Sequence, residues 1–405
     1  MRFGDLYLEA SRNGLTKPRS IRGNGIRFIN MGELFESDWI GDVQTDRVPV
    51  TDKEIDTALL KERDLLFARQ SLVREGAGKC SIITSITEPT TFDSHLIRVR
   101  LDEDRANPFY YQYFFRSPLS PMPGIVTQCA QAGIKGTDLA ALDVPCPKLE
   151  EQNRVASILM TYDNLIKNNR RQIALLEEAA QRLYKEWFVD LRFPGYEDAV
   201  FIDGLPTGWQ RMPVADYADV VKGCSYKTEN IDVEQGVPMV NLASIASWGG
   251  YKPYTERTYG GAYKSEQVLD ANDVVMALTE QTAGLAGYVA RIPRYAQGSV
   301  PSMDLACLRP KKGSRTYLYC TCRYGDVSRL LSPLANGTKI KHLKPEALSY
   351  TEMVVAPTEL QQRFEDTVHP MFTSVDVLME QNEKLRVARD LLLPKLMSGE
   401  IGVEG

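Results

Sequence analysis

The stretch VASILMTYDNLIKNNRRQIALLEEAAQRLYKEW, Val155 to Trp187, sets Val155, Leu159, Tyr162, Ile166, Asn169, Ile173, Leu176, Ala180, Leu183 and Trp187 at alternating steps of four and three. Nine of these ten side chains are apolar or aromatic. Such spacing, kept up for several heptads, is the seam of a coiled coil rather than the broad face of an ordinary surface helix. The same series returns 209 residues later as Phe364, Val368, Met371, Val375, Leu378, Asn382, Leu385, Arg389, Leu392 and Leu396. Two long helices are therefore expected, one central and one C-terminal.

The period extends beyond the helices. Gly25-Ile26-Arg27-Phe28-Ile29-Asn30-Met31 resembles Gly236-Val237-Pro238-Met239-Val240-Asn241-Leu242, and Asp64-Leu65-Leu66-Phe67-Ala68 resembles Asp273-Val274-Val275-Met276-Ala277. Gln152-Asn153-Arg154 matches Gln361-Gln362-Arg363, and Ile134-Lys135 is matched with Ile340-Lys341. In a chain of 405 residues this means a duplicated module, each copy far larger than a solenoid repeat. The runs Ile82-Ile83-Thr84, His95 to Val99 and Val274 to Leu278 are strand-like, so each copy reads as a mixed α/β body followed by its long helix. By the offset between Gly25 and Gly236, Met1 corresponds to Met212.

Two copies related by a two-fold axis would set the helices antiparallel. Aligning the seam ends places Val155 opposite Leu396 and Trp187 opposite Phe364. Asn169 then meets Asn382, a polar layer that would fix register at some cost in stability. Pro394 is expected to kink or end the second helix.

The composition, 43% hydrophobic and 25% charged, is that of a folded soluble protein. No apolar run approaches the ~18 residues of a membrane span, and Asp5 and Glu9 interrupt the place of a signal peptide. Seven cysteines include no CxxC pair. These features suggest a cytoplasmic protein.

The net charge of −5 is unevenly placed. Between 291 and 344 stand Arg291, Arg294, Arg309, Lys311, Lys312, Arg315, Arg323, Arg329, Lys339, Lys341 and Lys344, against only Asp304 and Asp326. The first thirty residues hold Arg2, Arg12, Lys17, Arg19, Arg22 and Arg27 against Asp5 and Glu9. Two local basic zones, one in each copy, could each follow a phosphate backbone.

Catalytic motifs fail on inspection. Asn107-Pro108-Phe109-Tyr110 lacks the second proline of the amino-methyltransferase loop it resembles, and reads as a strand exit before the aromatic run Tyr110 to Phe115. Gly76-Ala77-Gly78-Lys79-Cys80-Ser81 lacks the first glycine of a phosphate loop and has Cys80 where Ser or Thr must follow the lysine. No lysine has Asp or Glu two residues before it, and His95, His342 and His369 form no ligand cluster. The chain reads as a binder, with no catalytic residue, metal or cofactor of its own.

Leu205-Pro206-Thr207-Gly208-Trp209 resembles the opening of target-recognition domains in the specificity subunits of type I restriction-modification enzymes. Glu151-Gln152, Leu176 to Phe188 and Arg389 to Ile401 resemble that family's central and C-terminal helical regions. The first copy lacks the Leu-Pro-x-Gly-Trp element. The resemblance implies an α+β fold of two tandem mixed α/β recognition domains, 1–147 and 209–355. Helices over 148–190 and 356–400 would pair as an antiparallel coiled coil with pseudo-two-fold symmetry, with a linker at 191–208.

It also implies a function. Each domain would read one half of a bipartite double-stranded DNA target. The helix pair would set the spacing and dock two modification subunits that carry S-adenosylmethionine and methylate adenine, with restriction (translocase) subunits as further partners and no membrane. The seam from 155 to 187 spans about 48 Å at ~1.5 Å per residue, comparable with the ~34–36 Å between half-sites one DNA turn apart.

Candidate DNA contacts are the side chains that suit phosphates and base edges. In the first copy these are Arg12, Asn13, Lys17, Arg19 and Arg22, then Arg69, Arg74 and Lys79, then Gln131 and Lys135. In the second they are Lys222, Ser225, Tyr226 and Lys227, then Gln281 and Thr282, then Lys339 and Lys341. Lys135 and Lys341 are matched as the repeat pair. Competing readings are an interaction scaffold on a coiled-coil spacer, an enzyme with an unfamiliar motif, and the specificity subunit of a methylation-only system.

Overall fold

The computed structural model describes residues 1–128, 131–280 and 282–403. By contact the chain divides into two compact units, Met1–Leu165 with Lys384–Gly405, and Ile166–Glu383. The divisions fall inside the two long helices, so each unit takes a portion of both.

In the first unit a five-stranded sheet runs in the order Tyr7–Asn13, Leu96–Leu101, Leu65–Ala68, Cys80–Ile83, Trp39–Ile40. A second sheet orders Asp46–Val48, Ile26–Ile29 and Thr90–Phe92. The second unit repeats the plan. Its four-stranded sheet runs Ala218–Lys222, Leu305–Pro310, Val274–Ala277, Val289–Arg291, and its smaller sheet runs Arg257–Tyr259, Val237–Val240, Val300–Pro301. The strands Leu65–Ala68 and Val274–Ala277 are buried throughout, which is why they read as continuous apolar runs.

The repeated Asp64 and Asp273 precede these strands and are fully buried. Asp64 accepts from Arg100 at 2.7 Å, and Asp273 accepts from Arg309 at 2.7 Å. Each carboxylate also takes a backbone N–H, from Lys61 and Asp270 respectively. A buried charge needs such partners, so the duplication conserves an ion pair as well as an apolar pattern.

Met1 pairs through its backbone with Val144, as Met212 pairs with Met353. The correspondence of Met1 with Met212 thus holds in the sheet edges. The aromatic run lies on a helix, Pro108–Arg116, rather than at a strand exit. Asn107 caps it by accepting from Phe109 N–H at 2.8 Å, with Pro108 in the first turn.

The central helix spans Leu149–Tyr184 and widens into a π-helical turn over Lys185–Val189. The C-terminal helix spans Thr358–Met397. None of the twenty seam positions is exposed. In the first unit Arg154 donates to Val403 O at 3.0 Å, and Asp163 pairs with Arg389. The partner number falls as the first rises, so these segments run antiparallel. Val155 and Leu159 share a core with Leu393, Leu396 and Met397.

In the second unit Trp187 packs on Phe364 at 5.8 Å between ring centroids, the pairing the seam alignment predicts. Asn169 and Asn382 both lie in this unit, but no hydrogen bond joins them, and the buried Oδ1 of Asn382 has no partner. Pro394 does not break the helix early. The helix continues one turn beyond it and also passes through Pro370, each proline forgoing one backbone hydrogen bond.

Each long helix is keyed to its globular part by a buried glutamine. Gln152 accepts from Asn107 N–H at 2.8 Å and donates to Arg105 O and Pro147 O. Gln361 accepts from the Tyr217 hydroxyl at 2.7 Å and from Ser314 N–H at 3.2 Å, and donates to Ala356 O at 2.7 Å.

Candidate nucleic-acid interface

In the first unit the backbone brings several polar segments to one edge. Gly14 N–H donates to Leu96 O and Leu15 N–H to Phe92 O, seating Asn13 beside the turn at 93–95. Arg69 N–H donates to His95 O at 2.7 Å, and Ile134 N–H donates to Arg69 O at 3.0 Å. The strand Ala132–Gly133 pairs with Gln70–Ser71 on one side and Thr127–Gln128 on the other. Gly14 is needed here, because a Cβ would lie 2.1 Å from Phe92 O.

The second unit makes the same bonds 209 residues on. Gly223 N–H donates to Leu305 O, Cys224 N–H to Pro301 O, Leu278 N–H to Asp304 O and Leu343 N–H to Leu278 O. A Cβ at Gly223 would lie 2.0 Å from Ser302 O. The strand Lys341–His342 pairs with Thr279–Glu280.

These bonds correct one sequence assignment. Ile134 matches Leu343, so Lys135 matches Lys344 rather than Lys341. Lys135 immediately precedes the helix Gly136–Ala140, and Lys344 immediately precedes the 3-10 helix Pro345–Ser349. Lys341 instead lies in the strand opposite Glu280, with its ammonium 3.2 Å from that carboxylate. Burial would raise the Glu280 pKa, but the N–H groups of Leu285 and Ala286 and the Lys341 ammonium outweigh it and hold the carboxylate below its usual range.

The other predicted contacts divide by what already holds them. Arg12, Asn13, Arg19, Arg74, Gln131 and Lys135 are exposed, Arg12 resting on Thr57 O at 2.8 Å. Lys17 is bound to Glu54 at 2.9 Å. Arg22 is held by Asp46 at 2.8 Å and lies over the Phe28 ring. Arg69 is half-buried and donates to Ser94 O. Lys79 donates to Phe35 O at 2.8 Å and leads into the strand Cys80–Ile83, whereas a phosphate loop would lead into a helix.

In the second unit Lys222, Ser225, Thr282 and Lys339 are exposed, and Tyr226 is half-buried. Lys227 is exposed 3.8 Å from Glu229. Gln281 lies outside the described residues.

In the basic zone at 291–344 only Arg291 is buried and Arg309, Arg315 and Arg323 are half-buried, but several of the bases are already engaged. Arg291 is buried against Asp376, Arg309 and Arg315 share Asp273, and Arg323 lies 3.5 Å from Glu177. Arg329 pairs with Asp326 and Lys311 donates to Ala215 O. Most of the opposing carboxylates come from outside the zone, where a count along the chain misses them. The first zone is consumed similarly, with Arg27 buried against Asp42 and Arg2 at 3.5 Å from Asp143. At the edge that both copies build, the exposed bases include Lys135 in the first unit and Lys339 and Lys344 in the second.

The sequence reading counted Lys344 only in the basic zone and did not match it with Lys135, nor His95 with Asp304. The last two occupy the same turn in the two copies, and the constant spacing of 209 was the signal that could have found them. Among the described residues no group of His, Cys, Asp and Glu is arranged to hold a metal ion, and no helix is long and apolar enough to cross a membrane.

The fold is thus a duplicated α/β body with two long helices and a polar edge repeated in each copy. Residues 15–178 match the family model described as "Type I restriction modification DNA specificity domain". The chain is 23% identical over 398 residues to the type I restriction enzyme MjaIX specificity subunit of Methanocaldococcus jannaschii, covering 96% of this chain and 90% of that one. It is 21% identical over 328 residues to the HindI specificity subunit of Haemophilus influenzae, covering 65% and 70% respectively. The crystal structure of a type I restriction-modification S subunit from M. genitalium shares the fold, with a TM-score of 0.59, 14% identity, and coverage of 98% of this chain and 95% of that one. The chain is thus similar over most of its length to specificity subunits of type I restriction enzymes, and residues 15–178 match the DNA specificity domain of that family.

Proposed function

We propose that each unit reads one half of a bipartite double-stranded DNA target, and that the helix pair sets the gap between halves. The helices also dock two modification subunits, which bind S-adenosylmethionine and methylate adenine, so this chain confers specificity on partners and needs no cofactor itself. Restriction (translocase) subunits are further partners of the same complex. The observation that carries this reading is the repeated edge, in which identical backbone hydrogen bonds 209 residues apart present different side chains. A duplicated frame with divergent contact residues suits a target of two unlike halves.

The test is a salt titration of duplex binding by the chain assembled with its modification subunit. Affinity should fall steeply and linearly in log–log form as counterions are released. Binding to protein partners with no salt-dependent affinity for duplex DNA would favour the interaction scaffold.

A further inference from the structure

The turn that each copy builds ahead of its long central strand carries His95 in the first unit and Asp304 in the second. The backbone is the same in both. Leu96 N–H donates to Asp93 O and Leu305 N–H to Ser302 O, each at 2.9 Å, and the carbonyls of His95 and Asp304 accept from Arg69 N–H and Leu278 N–H, each at 2.7 Å. The side chain at this position differs, an imidazole in one copy and a carboxylate in the other.

Asp304 lies in the wall of an open cavity of roughly 460 Å³ in the second unit, with Tyr226, Asn241, Lys252, Arg257 and Thr282 also lining it. Asn241 is spent capping its own turn, accepting from Ala243 N–H, and Arg257 is paired with Asp232. Lys252 and Thr282 are exposed, while Lys222 ends the strand Ala218–Lys222 and Ser225 and Lys227 follow it. The Asp304 carboxylate is fixed by one bond, its Oδ1 accepting from the Thr279 hydroxyl at 2.8 Å. Among the described residues no lysine or arginine lies within ion-pair distance of it and no group donates to its Oδ2.

A carboxylate on a polyanion-binding edge repels phosphate unless it faces a donor. The major groove offers two amino donors, cytosine N4 and adenine N6; the acceptor-only carboxylate suits cytosine N4, because adenine sets the N7 acceptor beside its amino group. We infer that Asp304 reads a cytosine in the half-site taken by the second unit, with Thr279 orienting the carboxylate and its second oxygen accepting from N4. This rests on the recognition reading above. His95, at the same place in the first unit, is 53% exposed with its Nδ1 2.5 Å from Asp93, so the two copies offer unlike chemistry at one matched position.

The test is selection from a randomised duplex library by the complex of this chain with its modification subunits, comparing wild type, Asp304→Ala and Asp304→Asn. Asparagine keeps an oxygen for the Thr279 bond, so that variant separates base reading from folding. The expected result is a wild-type bipartite motif in which one G·C pair, in one half only, loses discrimination by roughly 5- to 150-fold in Asp304→Ala. Asp304→Asn should move the preference at that pair toward A·T, since asparagine suits adenine. A wild-type motif that both variants leave unchanged would overturn this inference alone, as would equal weakening on every sequence. Absence of any bipartite motif in wild type would overturn the recognition reading and this inference with it.

Discussion

Replacing Gln361 with Leu removes the key between the C-terminal helix and its globular part. The side chain is 2% exposed and makes three hydrogen bonds, to the Tyr217 hydroxyl, Ser314 N–H and Ala356 O. Leucine roughly preserves volume, so the loss is mainly polar. Each partner left buried without a bond costs ~1–3 kcal/mol. Partial recovery by rotation of the Tyr217 hydroxyl brings the expected total to about 3–5 kcal/mol, large for a single substitution. For a body of 150–250 residues, ~2–4 °C is lost per kcal/mol, so the melting transition of the second unit should fall by roughly 6–20 °C. Scanning calorimetry of the full chain reads this. Gln362→Ala is the control, because the neighbouring glutamine is exposed and bonds only Asp366, and it should stay within ~0.5 kcal/mol. A Gln361→Leu loss below ~1 kcal/mol would refute the claim that this glutamine locks helix to domain.

Lys135→Ala with Lys344→Ala should flatten the log–log salt slope of DNA binding by up to ~2, about 0.9 for each phosphate no longer neutralised. Lys135→Ala with Lys341→Ala should flatten it by about half as much, since Lys341 is engaged by Glu280, and equal slopes would contradict the corrected pairing. Asn169→Leu with Asn382→Leu should raise the denaturant midpoint, because it removes buried polar atoms including the unpartnered Oδ1 of Asn382, while loosening helix alignment measured by spin-label distances. A unique, unshifted distance would dismiss the register role. Glu280 has a lowered pKa in the fold, so its stabilising effect is present above the unfolded carboxylate pKa of ~4.3 and is lost as pH falls through the lower folded value. Glu280→Gln should therefore destabilise the chain at neutral pH and converge with wild type in acid; a pH-independent difference would count against it.

The helices were legible because a seam is a local pattern: every position from Val155 to Trp187 is fixed by its neighbours three and four residues away. The duplication was legible for a related reason, since Asp64 and Asp273 must each precede a buried strand and bind an arginine. Charge was the poor guide. Arg309 looked like part of a phosphate-binding zone, yet its partner Asp273 lies 36 residues earlier, just before another strand, a distance no running count resolves. The Ile-Lys dipeptides at 134 and 340 matched by composition, whereas the backbone bonds to Arg69 and Leu278 fix the true equivalence. The equivalence of His95 and Asp304 is not legible in the sequence because the two side chains are chemically unlike, and only the repeated backbone bonds match them.

The most direct measurement is single-molecule methylome sequencing of the native host with and without this chain. The account predicts that methylated adenine disappears at one bipartite motif, two short defined halves around a fixed gap. An unchanged methylome, with the chain expressed and a modification subunit present, would contradict it.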